Sequence, residues 1–334
     1  MKSPITGRAM ELTKEMRSIS FRKDSFDVVF HFYKCSDSGE QFTTEAMDEV
    51  NMNQVYNQYR DAHNIPFPDE IIHIREKYKL SAAKMSTILG FGVNSYRQYE
   101  SGEMPSVSNA RLIQMIDDPK KFIELVELCE SIDEKSEEAY IKTAKKIIAD
   151  EKQNAVKYKL KGYLLGEHLA DVYSGYRNPN FEKLTEMVVF FSEKLKPYKT
   201  KLNKLLFYSD FLMYKENCFS ISGIRYRAIN MGPVPNNFQS IFEYLANNEV
   251  IEISYVSFPQ GYTGEQFVAK TERPFNSNVF TESELNILNK VAEAFKESST
   301  SNIIESSHLE EAWKNNEKDR KVISYQYAFD LNQI

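Results

Sequence analysis

The sequence has very little cysteine. Its three residues, Cys35, Cys129 and Cys218, lie far apart. That spacing excludes a disulfide framework and fits a reducing compartment, so a cytoplasmic protein is expected. Long apolar runs are missing too. No stretch approaches the roughly 18 apolar residues of a membrane span, so no membrane partner is expected. The opening segment MKSPITGRAM lacks the apolar stretch of a secretion signal. Charge of one sign is also lacking, since 42 Lys and Arg face 48 Asp and Glu, for a net charge of −6. The chain as a whole is therefore no basic nucleic-acid coat, and any DNA contact must rest on a local patch, doubled by a dimer. Catalytic signatures are absent as well, with no HExxH, P-loop or GxSxG pattern. The five His, at 31, 63, 73, 168 and 308, are isolated in sequence. His308 can be combined with Glu310, Glu311 and Asp210 into an acid–base set on paper, but packing in the first turn of a capped helix explains His308 more simply. No enzyme activity is expected.

What is present is a folded core. Hydrophobic residues make up 42% and aromatics 13% of 334 residues, enough for two or three domains. The most informative stretch runs from Leu80 to Pro105. Ser81 is placed to cap a short helix, and Ala82, Met85, Ile88 and Leu89 form one apolar stripe. Gly90-Phe91-Gly92 breaks that helix. A second helix is predicted over 93–101, ended by Gly102 and followed by Pro105. Two short helices joined by a Gly turn form a helix-turn-helix, whose second helix enters the DNA major groove. Between Lys77 and Tyr99 four basic residues, Lys77, Lys79, Lys84 and Arg97, occur with no acidic one. Over 64–125, however, eight basic residues balance eight acidic ones.

The order Leu80-Ser81, Leu89-Gly90, Tyr99-Glu100-Ser101-Gly102 and Pro105-Ser106 resembles the Cro/lambda-repressor (XRE) helix-turn-helix. Gly90 to Tyr96 with Tyr99-Glu100 is also similar to the DNA-binding half of the MqsA antitoxin family. That family reads operator DNA with an Asn and an Arg on this helix. Asn94 takes the Asn position, whereas the Arg position falls on Gln98, with Arg97 just before it. The resemblance thus implies DNA contacts from Asn94, Ser95, Arg97, Gln98, Lys84 and Ser81. Asn and Gln can pair with adenine, and Arg with guanine or phosphate. Lys84 and Lys79 suit phosphate better than bases. Tyr96 and Tyr99 are expected to pack inside.

Upstream, Phe26–Tyr33 reads as a strand. The spacing of Ser3, Thr6, Cys35 and Ser38 outlines a zinc knuckle similar to the MqsA zinc domain, but only one of four positions keeps its Cys. One thiol and three hydroxyls are poor ligands for zinc, so no metal or other cofactor is expected. A helical connector is predicted over 43–61, and helices from Asp69, over 108–115 and over 119–128. Residues 130–159, with seven acidic and seven basic side chains, read as a long solvated arm, and 161–177 as a second connector.

From Phe181 a new domain begins. Two apolar helices lead to 221–228, read as a hairpin or a turn with a helix, and to a rigid turn at Met231–Pro235. Residues 250–256 and 266–270 read as a β-wing. Thr281-x-x-Glu284 and Ser307-x-x-Glu310 read as capping boxes that open helices ending near Phe295 and Asn316. Lys201 to Asp210, Gly223 to Ala228, Gly232-Pro233-Val234-Pro235 and Ser307-His308 to Trp313 together resemble the Panacea (SocA-like) antitoxin domain. That family binds and neutralises unrelated toxins, which implies a cognate protein toxin, with Tyr208, Gly232, Pro233 and Pro235 as its candidate contacts.

The expected fold is mainly α (α+β). It comprises a degenerate zinc-knuckle-like β-hairpin (1–62), a five-helix DNA-binding domain (64–128), a helical linker (129–180) and a mostly helical C-terminal domain with a small β-wing (181–334). The expected function is an antitoxin that represses its own operator, a palindrome bound by a homodimer. The alternative is a repressor answering to a small ligand held near Tyr208 and Gly232–Pro235. A hydrolase built on His308 is the remaining, weaker reading.

Overall fold

The structure, a computed structural model, describes residues 1–259, 261 and 263–334. It begins with β1 (Glu11–Phe21), β2 (Asp24–Lys34) and β3 (Gln41–Phe42), a sheet in that order. β3 runs antiparallel to β2, with Tyr33 opposite Phe42 and Lys34 opposite Gln41. The strand expected over Phe26–Tyr33 is the middle of β2, and it buries Val28 and Phe32. α1 (Glu45–His63) follows where the first connector was expected. The chain forms two compact units. One holds Met1–Arg17, Val29–Asn53 and Lys161–Ile334, the other Ser18–Val28 and Gln54–Leu160.

The second of these units is a helical bundle. Its helices are the end of α1, then α2 (Pro68–Lys77), α3 (Ala82–Ile88), α4 (Ser95–Glu100), α5 (Val107–Met115), α6 (Pro119–Glu127), all of α7 (Glu134–Gln153) and the start of α8 (Ala155–Leu165). Short-range signals set the helix starts. Ser81 accepts a hydrogen bond from the Lys84 amide, Ser106 from that of Asn109, and Asp118 from that of Lys120, each satisfying an amide that has no partner within its helix. The core joins Ile71, Ile74, Met85, Ile88, Tyr96, Ile113, Phe122 and Val126. Tyr78 stacks on Phe122 with ring centres 3.8 Å apart.

The arm expected over 130–159 does not stand free. α7 lies along α6 and buries Ala144 in the same core, with Tyr140, Ile141 and Ile147 against it. Its thin apolar stripe was the signal for this packing, outweighed in the sequence by the charges on its other faces. Asn154 then ends α7, and α8 restarts at once.

The other unit is organised around a buried helix. α9 (Phe181–Leu195) and α10 (Lys199–Asn217) are followed by β4 (Tyr226–Ile229), β5 (Gly232–Pro235), α11 (Phe238–Asn247), β6 (Ile251–Ser257) and β7 (Thr263–Ala269). α12 (Glu282–Ala294), α13 (Thr300–Leu309), α14 (Glu311–Lys314) and a 3₁₀ turn at Tyr325–Asp330 close the chain. Every residue of α10 from Lys201 to Tyr214 is buried. α9, α12, α13 and β5 surround it.

Two sequence expectations are corrected here. Gly232–Pro235 is a strand rather than a rigid turn, pairing antiparallel with β4 so that Tyr226 faces Pro235 and Ile229 faces Gly232. Ser307 opens no helix. It lies inside α13, and its hydroxyl donates to the Ile304 carbonyl at 2.8 Å. The Glu310 carboxylate instead accepts the amides of Asn332 and Gln333, both at 3.1 Å. The β-wing is β6–β7, and the Thr281–Glu284 capping box forms as expected. Within this unit Lys14 reaches the Phe329 carbonyl at 2.7 Å, so the first strand is tied to the last turn.

No described helix is long and apolar enough to cross a membrane.

Candidate functional site

The α3–α4 pair is held from behind and left open in front. Gly90, at φ 67°, turns the chain out of α3. Gly92 needs no such conformation. The Tyr96 amide donates to Ser86 Oγ at 3.1 Å, and its hydroxyl donates to the Ile71 carbonyl at 2.9 Å. Burial pushes the Tyr96 hydroxyl pKa well up, so the ring stays a neutral donor. Arg75 bonds Glu100 at 2.5 Å and the Leu80 carbonyl at 3.0 Å, pinning α2 to α4. Tyr99 accepts from Asn109 at 2.9 Å. Both tyrosines are therefore packing residues, as expected.

The opposite face of α4 is free. Val93, Asn94, Arg97 and Gln98 are all exposed. Asn94 is the residue before the helix, yet its side chain makes no capping bond. Among the described residues the side chains of Arg97 and Gln98 have no hydrogen-bond or ion-pair partner either. Three of the six sequence candidates, Asn94, Arg97 and Gln98, are thus exposed at this helix, and a fourth, Lys84, is exposed on α3. Ser95 is half-buried at the start of α4, and the hydroxyl of Ser81 is committed to its cap. Lys77, one of the four basic residues of this stretch, is bound to Asp117 at 3.2 Å and Glu151 at 3.3 Å. The acid from α7 was beyond any local sequence signal.

The C-terminal candidates sit differently. Tyr208 has no exposure, and Gly232, Pro233 and Pro235 are buried. They shape the domain from within. Gly232 has φ +93°, and a Cβ there would meet Ser307 Oγ and Lys204 Cε. Lys204 is wholly buried and donates to the Pro233 carbonyl at 2.8 Å. Burial without a facing acid drives its pKa down to about 7. No local signal marks this burial, because Lys204 lies among other lysines on α10.

Asp210 is enclosed too. It accepts the amides of Ile221 and Ser222 at 2.8 Å, the Ser222 hydroxyl at 2.5 Å and the Tyr226 hydroxyl at 2.7 Å. Burial raises its pKa despite these four bonds. His308 stacks on Trp313 at 3.8 Å, and Trp313 donates to the Ile229 carbonyl at 2.8 Å. Burial, and then the nearby Lys204, hold the His308 pKa below its ordinary value. The acid–base set drawn on paper is thus split among separate networks.

Ser3, Thr6, Cys35 and Ser38 do come together. Thr6 Oγ1 lies 3.5 Å from Cys35 Sγ, and hydrogen bonds from Ser38, then Thr6 and Ser3, lower the Cys35 pKa to about 6. One thiol among hydroxyls does not fit a zinc ion. Among the described residues no three His, Cys, Asp or Glu gather as a metal site.

Residues 1–127 match the family described as the antitoxin component of bacterial toxin-antitoxin systems, MqsA. Residues 202–314 match the antitoxin SocA-like Panacea domain. None of the curated proteins compared matches the chain. The second match spans α10 through α14, the buried helix and most of what is packed around it. The chain is a fusion of an MqsA-like antitoxin region with a SocA-like Panacea antitoxin domain.

Proposed function

We propose that this chain is the antitoxin of a type II toxin-antitoxin system, acting in the cytoplasm, that neutralises a protein toxin through its Panacea domain and represses its own operator through the α3–α4 helix-turn-helix of XRE type. The observation that carries the DNA half is the open face of α4. Asn94, Arg97 and Gln98 are hydrogen-bonding side chains left without a partner among the described residues, on a short helix whose opposite side is fixed by Tyr96, Tyr99 and Arg75. Such groups match base edges, Asn and Gln to adenine and Arg to guanine or phosphate. Lys84, on the preceding helix, is placed for the phosphate backbone.

With a net charge of −6 on the whole chain, a single copy has little general attraction for DNA. A two-fold dimer doubles the local contacts and calls for a palindrome with half-sites about one helical turn apart. The enclosure of Asp210 and the stacking of His308 support a binding protein rather than an enzyme. For the toxin half, the two antitoxin matches are the support.

The test is a gel-shift titration of the full-length chain on the DNA upstream of its own gene. Asn94→Ala and Gln98→Ala, each truncating an exposed side chain, should each weaken binding by roughly 5- to 150-fold, the range of one lost base contact. Unchanged binding by both variants refutes the assigned interface.

A further inference from the structure

The turn that leads into α4 holds one exposed residue with no role in the DNA contacts assigned so far. Val93 is 77% exposed. It precedes Asn94 in the turn that leads into α4, and it is exposed as Asn94, Arg97 and Gln98 are. Its neighbours Tyr96 and Tyr99 point into the core, which leaves the isopropyl group of Val93 without a packing role. An exposed valine on its own needs no explanation. One set into a face of uncommitted base-reading groups presents an apolar probe where the rest of the face presents polar ones.

The major groove offers a single kind of apolar group among the four standard bases, the C5-methyl of thymine. Val93 and Asn94 are adjacent, and consecutive Cα atoms stand about 3.8 Å apart. Successive bases rise by about 3.4 Å along one strand. Two adjacent exposed residues at the start of this helix are therefore separated by about one base-pair step. We propose that Val93 is a specificity-determining residue that reads the methyl group of a thymine one base-pair step from the base contacted by Asn94. The proposal rests on the DNA-binding reading and goes one step further, since it assigns part of the operator's sequence to a carbon contact.

The probe is a duplex selected by the full-length protein from a random-sequence pool. Each thymine of the selected half-site is replaced in turn by deoxyuridine, which deletes only the methyl group. Wild-type protein should lose roughly fourfold in affinity at one thymine per half-site, the equivalent of one buried methyl group, and nothing at the others. Val93→Ala should bind the thymine and deoxyuridine duplexes equally. Because that side chain is exposed, the variant should melt at the wild-type temperature. Selection of a duplex on which no thymine is sensitive overturns the assignment to Val93 and leaves the DNA-binding reading standing. So does a Val93→Ala protein that keeps the sensitivity. Failure to select any sequence overturns the DNA-binding reading, and this assignment falls with it.

Discussion

Replacing Lys204 by Met should make the protein more stable, and by an amount that depends on pH. Lys204 is wholly buried, and its one hydrogen bond is to the Pro233 carbonyl at 2.8 Å. Its pKa falls from 10.5 to about 7 because burial penalises the charged form. The sign follows from proton counting. Between pH 7 and 10.5 the unfolded chain holds a proton on this amine that the folded chain has shed, so folding stability rises with pH in that window. Below pH 7 the lysine is charged in both states and the full penalty applies. At about 1.4 kcal/mol for each tenfold change in proton affinity, that penalty is about 5 kcal/mol.

Met has no charge to desolvate and an adaptable, unbranched side chain. It leaves the Pro233 carbonyl without its lysine donor, at a cost of about 1–3 kcal/mol. The net gain at pH 7 and below should be about 2–4 kcal/mol, and it should shrink by about 1.4 kcal/mol per pH unit above 7. Trp313 is the protein's one tryptophan and stacks beside this site on His308, so its fluorescence during urea unfolding follows this domain. His308, Lys201 and Lys215, whose pKa values burial also lowers, are common to both proteins, so the pH slope of the stability difference between pH 7 and 9.5 belongs to Lys204. A stability difference that is flat over that range would refute the reasoning, because the buried amine would then keep its charge.

Gly232→Ala should destabilise the same domain by about 2–5 kcal/mol, since the new Cβ adopts a left-handed φ and overlaps Lys204 Cε at 2.5 Å; a loss below about 1 kcal/mol in the same urea titration would contradict it. Co-expression of the full-length chain with the reading frame beside its gene should rescue growth and yield a co-purifying complex. An inert neighbour that forms no complex would favour a repressor answering to a small ligand.

The sequence was most legible where structure is made by residues a few positions apart. The Ser81 cap, the Gly90 break, the Thr281–Glu284 box and the alternation of β6 and β7 each depend on partners nearby in the chain or on a repeating pattern, and all appear where expected. The exposed and buried faces of α4 followed in the same way from helical spacing. Both family resemblances were also legible, because they depend on the order of short motifs.

What the sequence missed depends on segments brought together from afar. The charges of α7 concealed a narrow apolar stripe until α6 supplied the surface it packs on. Glu310 serves the amides of Asn332 and Gln333 rather than a cap at Ser307, and Lys77 is occupied by Glu151. Gly232–Pro235 has no local signature of a strand and becomes one only against Tyr226–Ile229. Burial is the extreme case. The sequence by itself determined helix starts such as those at Ser81 and Thr281 and which α4 side chains face outward, since these are set within one or two turns of chain. Only the tertiary structure decided that Tyr208, Lys204 and the Gly232–Pro235 strand lie inside, because exposure is set by what remote segments cover and not by the residue that is covered.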